Sequence, residues 1–92
     1  MKFIIGSLFM THTINVTRVE NTIFASELKN ALDRYFSCDW GDLTDYDKQL
    51  NDSAVQSGED RILAAYNTSE GKIYIITEWD RSYTTVLFSC EY

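Results

Sequence analysis

The spacing of apolar and polar positions changes period along the chain, and each change marks an element. Residues 11–17 alternate strictly, with Thr11, Thr13, Asn15 and Thr17 set against His12, Ile14 and Val16. A period of two predicts a half-buried strand there, following a first strand at about 3–9. From Phe24 the period becomes helical. Phe24, Leu28, Ala31, Leu32 and Tyr35 recur at i, i+4, i+7, i+8 and i+11, with Glu27, Lys29, Asn30, Asp33 and Arg34 on the other side. That stripe predicts an amphipathic helix of about 13 residues, N-capped by Asn21 or Thr22. Ser37-Cys38-Asp39-Trp40-Gly41-Asp42 breaks it, because glycine and aspartate favour turns.

A second helix is predicted after Thr44. Asp47 follows this cap by three positions, and Asp45 and Asp47 fall in the first turn, where the helix dipole favours acids. Tyr46, Leu50 and Ala54 form its expected buried stripe, and Gly58 suits the position just past its end. The remainder is β. Arg61 to Tyr66 is a short strand, residues 67–71 a hairpin loop, Lys72 to Trp79 a strongly β-prone run and Tyr83 to Phe88 its return. On the middle strand Tyr74, Ile76 and Glu78 share one face and Ile73, Ile75 and Thr77 the other, as a central strand requires. The order β(β)ααβββ predicts an α+β fold in which two helices pack on one face of an antiparallel sheet. With 92 residues the chain forms one domain, 1–92, with no room for a second.

Charge sharpens this picture only when it is located. The formal net charge is −6. Asp39, Asp42, Asp45, Asp47, Asp52, Glu59 and Asp60 lie in one window of 22 residues whose only base is Lys48, so the window holds the whole excess. The rest of the chain balances at seven acids against seven bases. This composition argues against binding a phosphate backbone, which needs clustered Lys and Arg. It admits a partner with a basic surface or a metal, and equally a solvated helix face with its loop. The apolar start, Phe3 to Met10, is interrupted at Gly6-Ser7 and lacks a small-x-small cleavage site, so a cytoplasmic protein is expected. No stretch reaches the roughly 18 apolar residues of a membrane span.

Candidate chemistry is sparse. His12 is the single histidine, and no nucleophile–base–orienter set can be assigned around it; the four glycines are isolated and form no phosphate loop. Two carboxylate pairs flank tryptophans: Asp39 and Asp42 around Trp40-Gly41, and Glu78 and Asp80 around Trp79. In an extended segment Glu78 and Asp80 project to one side, and either pair, Asp39 with Asp42 or Glu78 with Asp80, could hold a divalent ion such as zinc, joined by His12 or Cys38. Turn chemistry for the first pair, and neutralisation of the second by Arg81, with Arg61 or Lys72, are the structural alternatives. Cys38 and Cys90 match no metal-ligand spacing and are read as reduced thiols. Trp40, Trp79, Tyr83 and Tyr92 beside acids could form a recognition surface for Arg- and Lys-bearing partners, or serve the core.

The run Asp39-Trp40-Gly41-Asp42-Leu43, then Asp47, Asn51, Gly58 and Arg61-Ile62-Leu63-Ala64-Ala65-Tyr66, carries a family resemblance. So does the stretch from Ile73 to Phe88, with Glu91-Tyr92 after it. Over residues 28–92 the chain resembles small acidic "plasmid-related" proteins of Gram-positive mobile elements and phages. That family more often has Gly at Cys38, Pro-acid near Ser89-Cys90 and His at Tyr35. Small acidic proteins of mobile elements in turn resemble anti-defence proteins, which bind stoichiometrically to basic surfaces built for nucleic acid; some carry a structural metal. The resemblance therefore implies a non-enzymatic inhibitor, specifically an anti-CRISPR protein that binds a type II RNA-guided nuclease in the host cytoplasm and blocks target DNA. Its expected contact surface is Asp39, Trp40, Asp42, Asp45, Asp47, Asp52, Glu59 and Asp60. The alternatives are a carboxylate metal site, structural or hydrolytic, and an accessory protein of plasmid maintenance.

Overall fold

The computed structural model describes residues 2–92. Its elements run β1 (Ser7–Met10), α1 (His12–Glu20), α2 (Thr22–Phe36), α3 (Asp45–Ser57), β2 (Ile62–Thr68), β3 (Gly71–Thr77) and β4 (Tyr83–Phe88), followed by a 3₁₀ turn at Ser89–Glu91. The α+β class matches expectation, but the sheet is mixed rather than antiparallel. Its strand order is β1-β4-β3-β2; the β2–β3 and β3–β4 pairs are antiparallel, and β1 runs parallel to β4. No hairpin joins β1 to its neighbour, since three helices and two strands intervene, so turn geometry does not dictate its direction.

The expected second strand, 11–17, is a helix. Residues 8–12 contain no Gly, Asn or Asp to turn a hairpin back on β1. Instead the Thr11 hydroxyl accepts from the Ile14 amide as an N-cap, and only Ile14 of α1 is buried. The β-branched residues that suggested a strand stand mostly in solvent, where strand propensity decides little. Asn21 ends α1 and starts α2, its side chain accepting from the Phe24 amide. The first strand is also shorter than expected, because Gly6 breaks it at φ 64°. A Cβ there would run into the carbonyl oxygens of Arg81 and Ser82, so this crossing requires glycine.

One face of the sheet and the helices share a single core. Ile14, Phe24, Leu28, Ala31 and Tyr35 meet Ile62, Ala64, Tyr66, Ile73, Ile75, Val86 and Phe88, with Trp40 and Ala54 from the third helix and its preceding loop. Within it runs a chain of buried hydroxyls. Thr84 Oγ1 donates to the Ile5 carbonyl at 2.7 Å, so it must accept from Thr77 Oγ1 at 2.7 Å, which in turn accepts from Tyr35 Oη at 2.6 Å. One orientation thus satisfies all three hydroxyls and ties α2, β3, β4 and the N-terminal segment together. Burial drives the Tyr35 hydroxyl pKa well upward, keeping it neutral. The opposite sheet face carries Phe9, Leu63, Tyr74, Ile76, Tyr83 and Leu87; the C-terminus brings Tyr92 edge-on to Tyr74 at 5.6 Å. No helix among the described residues is long and apolar enough to cross a membrane.

Candidate functional site

The loop 37–44 and α3 form the acidic window, and the structure divides its seven carboxylates by role. Helix α2 ends in a Schellman arrangement: the Cys38 amide donates to Tyr35 O and the Asp39 amide to Arg34 O. Cys38 occupies the left-handed position at φ 63°, usually a glycine's. The chain then turns so that Trp40 enters the core, 2% exposed, between Tyr35 (centroids 5.5 Å) and Phe3 (5.8 Å). Trp40 is therefore not part of an accessible surface, contrary to its expected role. Its Nε1–H donates to Asp52 at 2.9 Å, which commits that carboxylate to holding the loop on α3.

Two more acids of the window are matched by bases from outside it. Asp39 pairs with Arg34 in a two-pronged contact of 2.8 and 3.2 Å and also accepts from the Gly41 amide. The Arg34 hydrogen bond, ahead of the Gly41 one, holds the Asp39 carboxyl below its ordinary pKa. Asp42 meets Lys72 at 3.0 Å and Asn67 at 3.4 Å, and the same contacts depress its pKa, Lys72 first. No ion pair involves Asp45, Asp47, Glu59 or Asp60 among the described residues. Asp45 and Asp47 start α3, whereas Glu59 and Asp60 lie past its end, roughly 15–20 Å further along the axis. The window is thus two acidic points, not one continuous patch.

The apolar stripe expected on α3 is turned. Only Ala54 of Tyr46, Leu50 and Ala54 is buried; Tyr46 is 69% exposed and Leu50 51%. The residue that takes their place is Asn51. Its Nδ2 donates to the Leu63 carbonyl at 2.8 Å and its Oδ1 accepts from the Leu63 amide at 3.3 Å. The helix thus docks on the edge of β2 through an amide, and hydrophobic periodicity could not reveal that contact. Leu43, Leu50 and Leu63, with Asp47, Asn51 and Arg61, line an open cavity of about 320 Å³ beside it. Among the described residues no acid pairs with Arg61, which lies over the Tyr92 ring at 5.8 Å.

In the second carboxylate pair, Asp80 is already engaged by its own turn. Asp80 accepts from both the amide and the hydroxyl of Ser82, which lowers its pKa. Arg81, expected to neutralise it, adopts φ 62° and directs its guanidinium elsewhere. It donates to the carbonyls of Ala54 (2.8 Å), Asp60 (2.6 Å), Glu78 (3.2 Å) and Trp79 (3.3 Å), clamping the end of α3 to the β3–β4 turn. Among the described residues no group of three or more His, Cys, Asp or Glu is placed to hold a metal. The proposed ligands Asp39, Asp42, Glu78, Asp80, His12 and Cys38 are therefore not assembled into such a site. His12 stands exposed at the start of α1, and no described hydroxyl or thiol hydrogen-bonds to it. Cys38 and Cys90 are both free. Compared with protein-family models, curated proteins and solved structures, the chain matches none.

Proposed function

We propose that the chain is a stoichiometric binding protein whose contact surface is the N-terminal half of α3. One observation carries this: Tyr46 and Leu50 stand in solvent beside Asp45 and Asp47, two carboxylates without an ion-pair partner among the described residues. An aromatic and an aliphatic anchor ringed by unpaired acids has the chemistry of an interface centre that meets a basic surface. Acids that are already neutralised, Asp39 and Asp42, contribute less to such a contact, and Asp52 is held by Trp40. The surface is accordingly smaller than the full charged window.

The partner class follows from the charge and the resemblance together: a protein that handles nucleic acid, with a type II RNA-guided nuclease as the specific expectation. Carboxylates seated on its basic channel would compete with target DNA, the behaviour of an anti-CRISPR protein. Asp39 on Arg34, Asp42 on Lys72 and Asp80 on Ser82 already have protein partners, and the proposed contact does not call on them. The test is binding and DNA-cleavage inhibition with wild type, the double variant Asp45→Lys/Asp47→Lys, and Tyr46→Ala. Binding that weakens steeply with salt and is lost in the double variant, with Tyr46→Ala at least tenfold weaker, supports the proposal. Wild type that neither binds nor inhibits such a nuclease, or charge reversal without effect, refutes it.

A further inference from the structure

Strand β1 is an edge strand, paired with β4 on one side and with no described residue on the other. The Ser7 amide donates to Ser82 O and the Thr11 amide to Val86 O, both toward β4. In a parallel ladder alternate residues face alternate sides, so Phe9 also bonds inward and Leu8 and Met10 point their N–H and C=O groups outward. Among the described residues nothing bonds to those four groups. The segment Ser7-Leu8-Phe9-Met10 carries no charge and no proline, the features that usually guard an edge. Its side chains are exposed as well: Leu8 is 39% and Phe9 56% accessible.

We infer that β1 pairs antiparallel with β1 of a second copy about a twofold axis at Phe9, joining two four-stranded sheets into one of eight. In that register Leu8 faces Met10 of the copy and Met10 faces its Leu8, each an exchange of two hydrogen bonds, so all four free groups are used. An axis at Leu8 would instead need Gly6 in extended backbone, which its φ of 64° denies. Phe9 then faces Phe9 of the copy in the closer, non-hydrogen-bonded pair, beside Tyr83 at 6.0 Å. Leu8 comes against Met10, which already packs on the core.

Charge favours a copy as the occupant. The entire excess of −6 lies between Asp39 and Asp60. Those residues sit at the β2 end of the sheet, where Gly41 bridges Ala65 and Asn51 bonds Leu63. Strand β2 is three strand spacings from β1, about 14 Å across the sheet. Two copies joined at β1 meet through their neutral parts and hold their acidic ends furthest apart. The inference goes beyond the binding function proposed above and does not depend on it, although a dimer would display two α3 surfaces.

Sedimentation from micromolar to millimolar protein, with wild type and Phe9→Lys, tests it, alongside amide hydrogen exchange of wild type at both extremes. The expected result is a concentration-dependent wild-type dimer, a monomeric Phe9→Lys with unchanged thermal stability, and Leu8 and Met10 amides that slow at least tenfold on association. Three results would overturn it: wild type monomeric at millimolar concentration, which leaves the edge to a foreign strand; dimers that persist in folded Phe9→Lys; or a dimer whose Leu8 and Met10 amides exchange as in the monomer. Should Phe9→Lys fail to fold, wild-type exchange alone decides.

Discussion

On β2, the outward groups of Leu63 bond the Asn51 amide, the Ala65 amide donates to Trp40 O, and the Ala65 carbonyl accepts from the Asp42 amide. On β1, at the other edge of the same sheet, the outward groups of Leu8 and Met10 have no partner among the described residues. Backbone chemistry is identical at the two edges, so the difference comes from what the flanking segments supply. Three features build the cover at β2: a left-handed residue that lets the chain leave α2, a glycine that lets the loop reach the strand, and an asparagine on the docked helix. At Gly41, φ is 76° and a Cβ would collide with the Ala65 carbonyl, so the approach is open to glycine alone. The comparison teaches that α3 and its loop have a structural task, which releases Tyr46 and Leu50 to face solvent.

The largest effect is expected from opening the closed edge. Asn51→Ala removes both bonds to Leu63 and leaves a strand amide and carbonyl under the helix without partners. Denaturant unfolding should show a loss of about 2–4 kcal/mol, one to two per stranded group. Phe9→Lys at the open edge should change monomer stability by no more than about 0.5 kcal/mol, as surface substitutions do. Comparable losses at both positions would abolish the contrast.

A smaller effect concerns the residue that launches the covering loop. Cys38→Ala and Cys38→Gly both delete the thiol, so their difference isolates the backbone. Glycine should be the more stable by about 1 kcal/mol, because alanine at φ 63° keeps the left-handed strain. Equal thermal midpoints would show that the turn is not held in that conformation.

The smallest effect is in pH. Asp39 and Asp42 have folded pKa values below their unfolded ones, owing first to hydrogen bonds from Arg34 and Lys72. Their contribution is therefore complete above the unfolded value of about 4 and is lost as pH falls through the depressed folded values. Both are solvent-exposed, so the effect is modest and screened by salt. Unfolding followed between about pH 5 and 2 should show a shallower acid loss for Asp39→Asn than for wild type. A steeper loss would place the acid-sensitive contacts elsewhere.

Much of this architecture is legible in the residues. The Phe24–Tyr35 stripe and Asn21 cap identify α2, Thr44 and Gly58 bound α3, and the last three strands fall where β-branched runs and turn residues put them. What escapes is encoded in polar contacts across long sequence separations. Ile14 and Val16 alternate as a strand would, yet a threonine cap and the absence of turn residues make α1 helical. Asn51 interrupts no periodicity and announces nothing, because its partner is backbone 12 residues away. Arg81 looks like a counter-ion for its neighbours and serves instead as a clamp on four carbonyls. For the candidate site, charge location singles out the segment from Asp39 to Asp60. Which acids are neutralised depends on Arg34 and Lys72, brought there only by the fold.

The contrast between the edges is tested most directly by hydrogen exchange at single-residue resolution in dilute, monomeric protein. Leu63 and Ala65 amides should exchange only through global opening, while Leu8 and Met10 exchange orders of magnitude faster. Leu8 and Met10 as slow as Leu63 in the monomer would contradict the account, since both edges would then be closed.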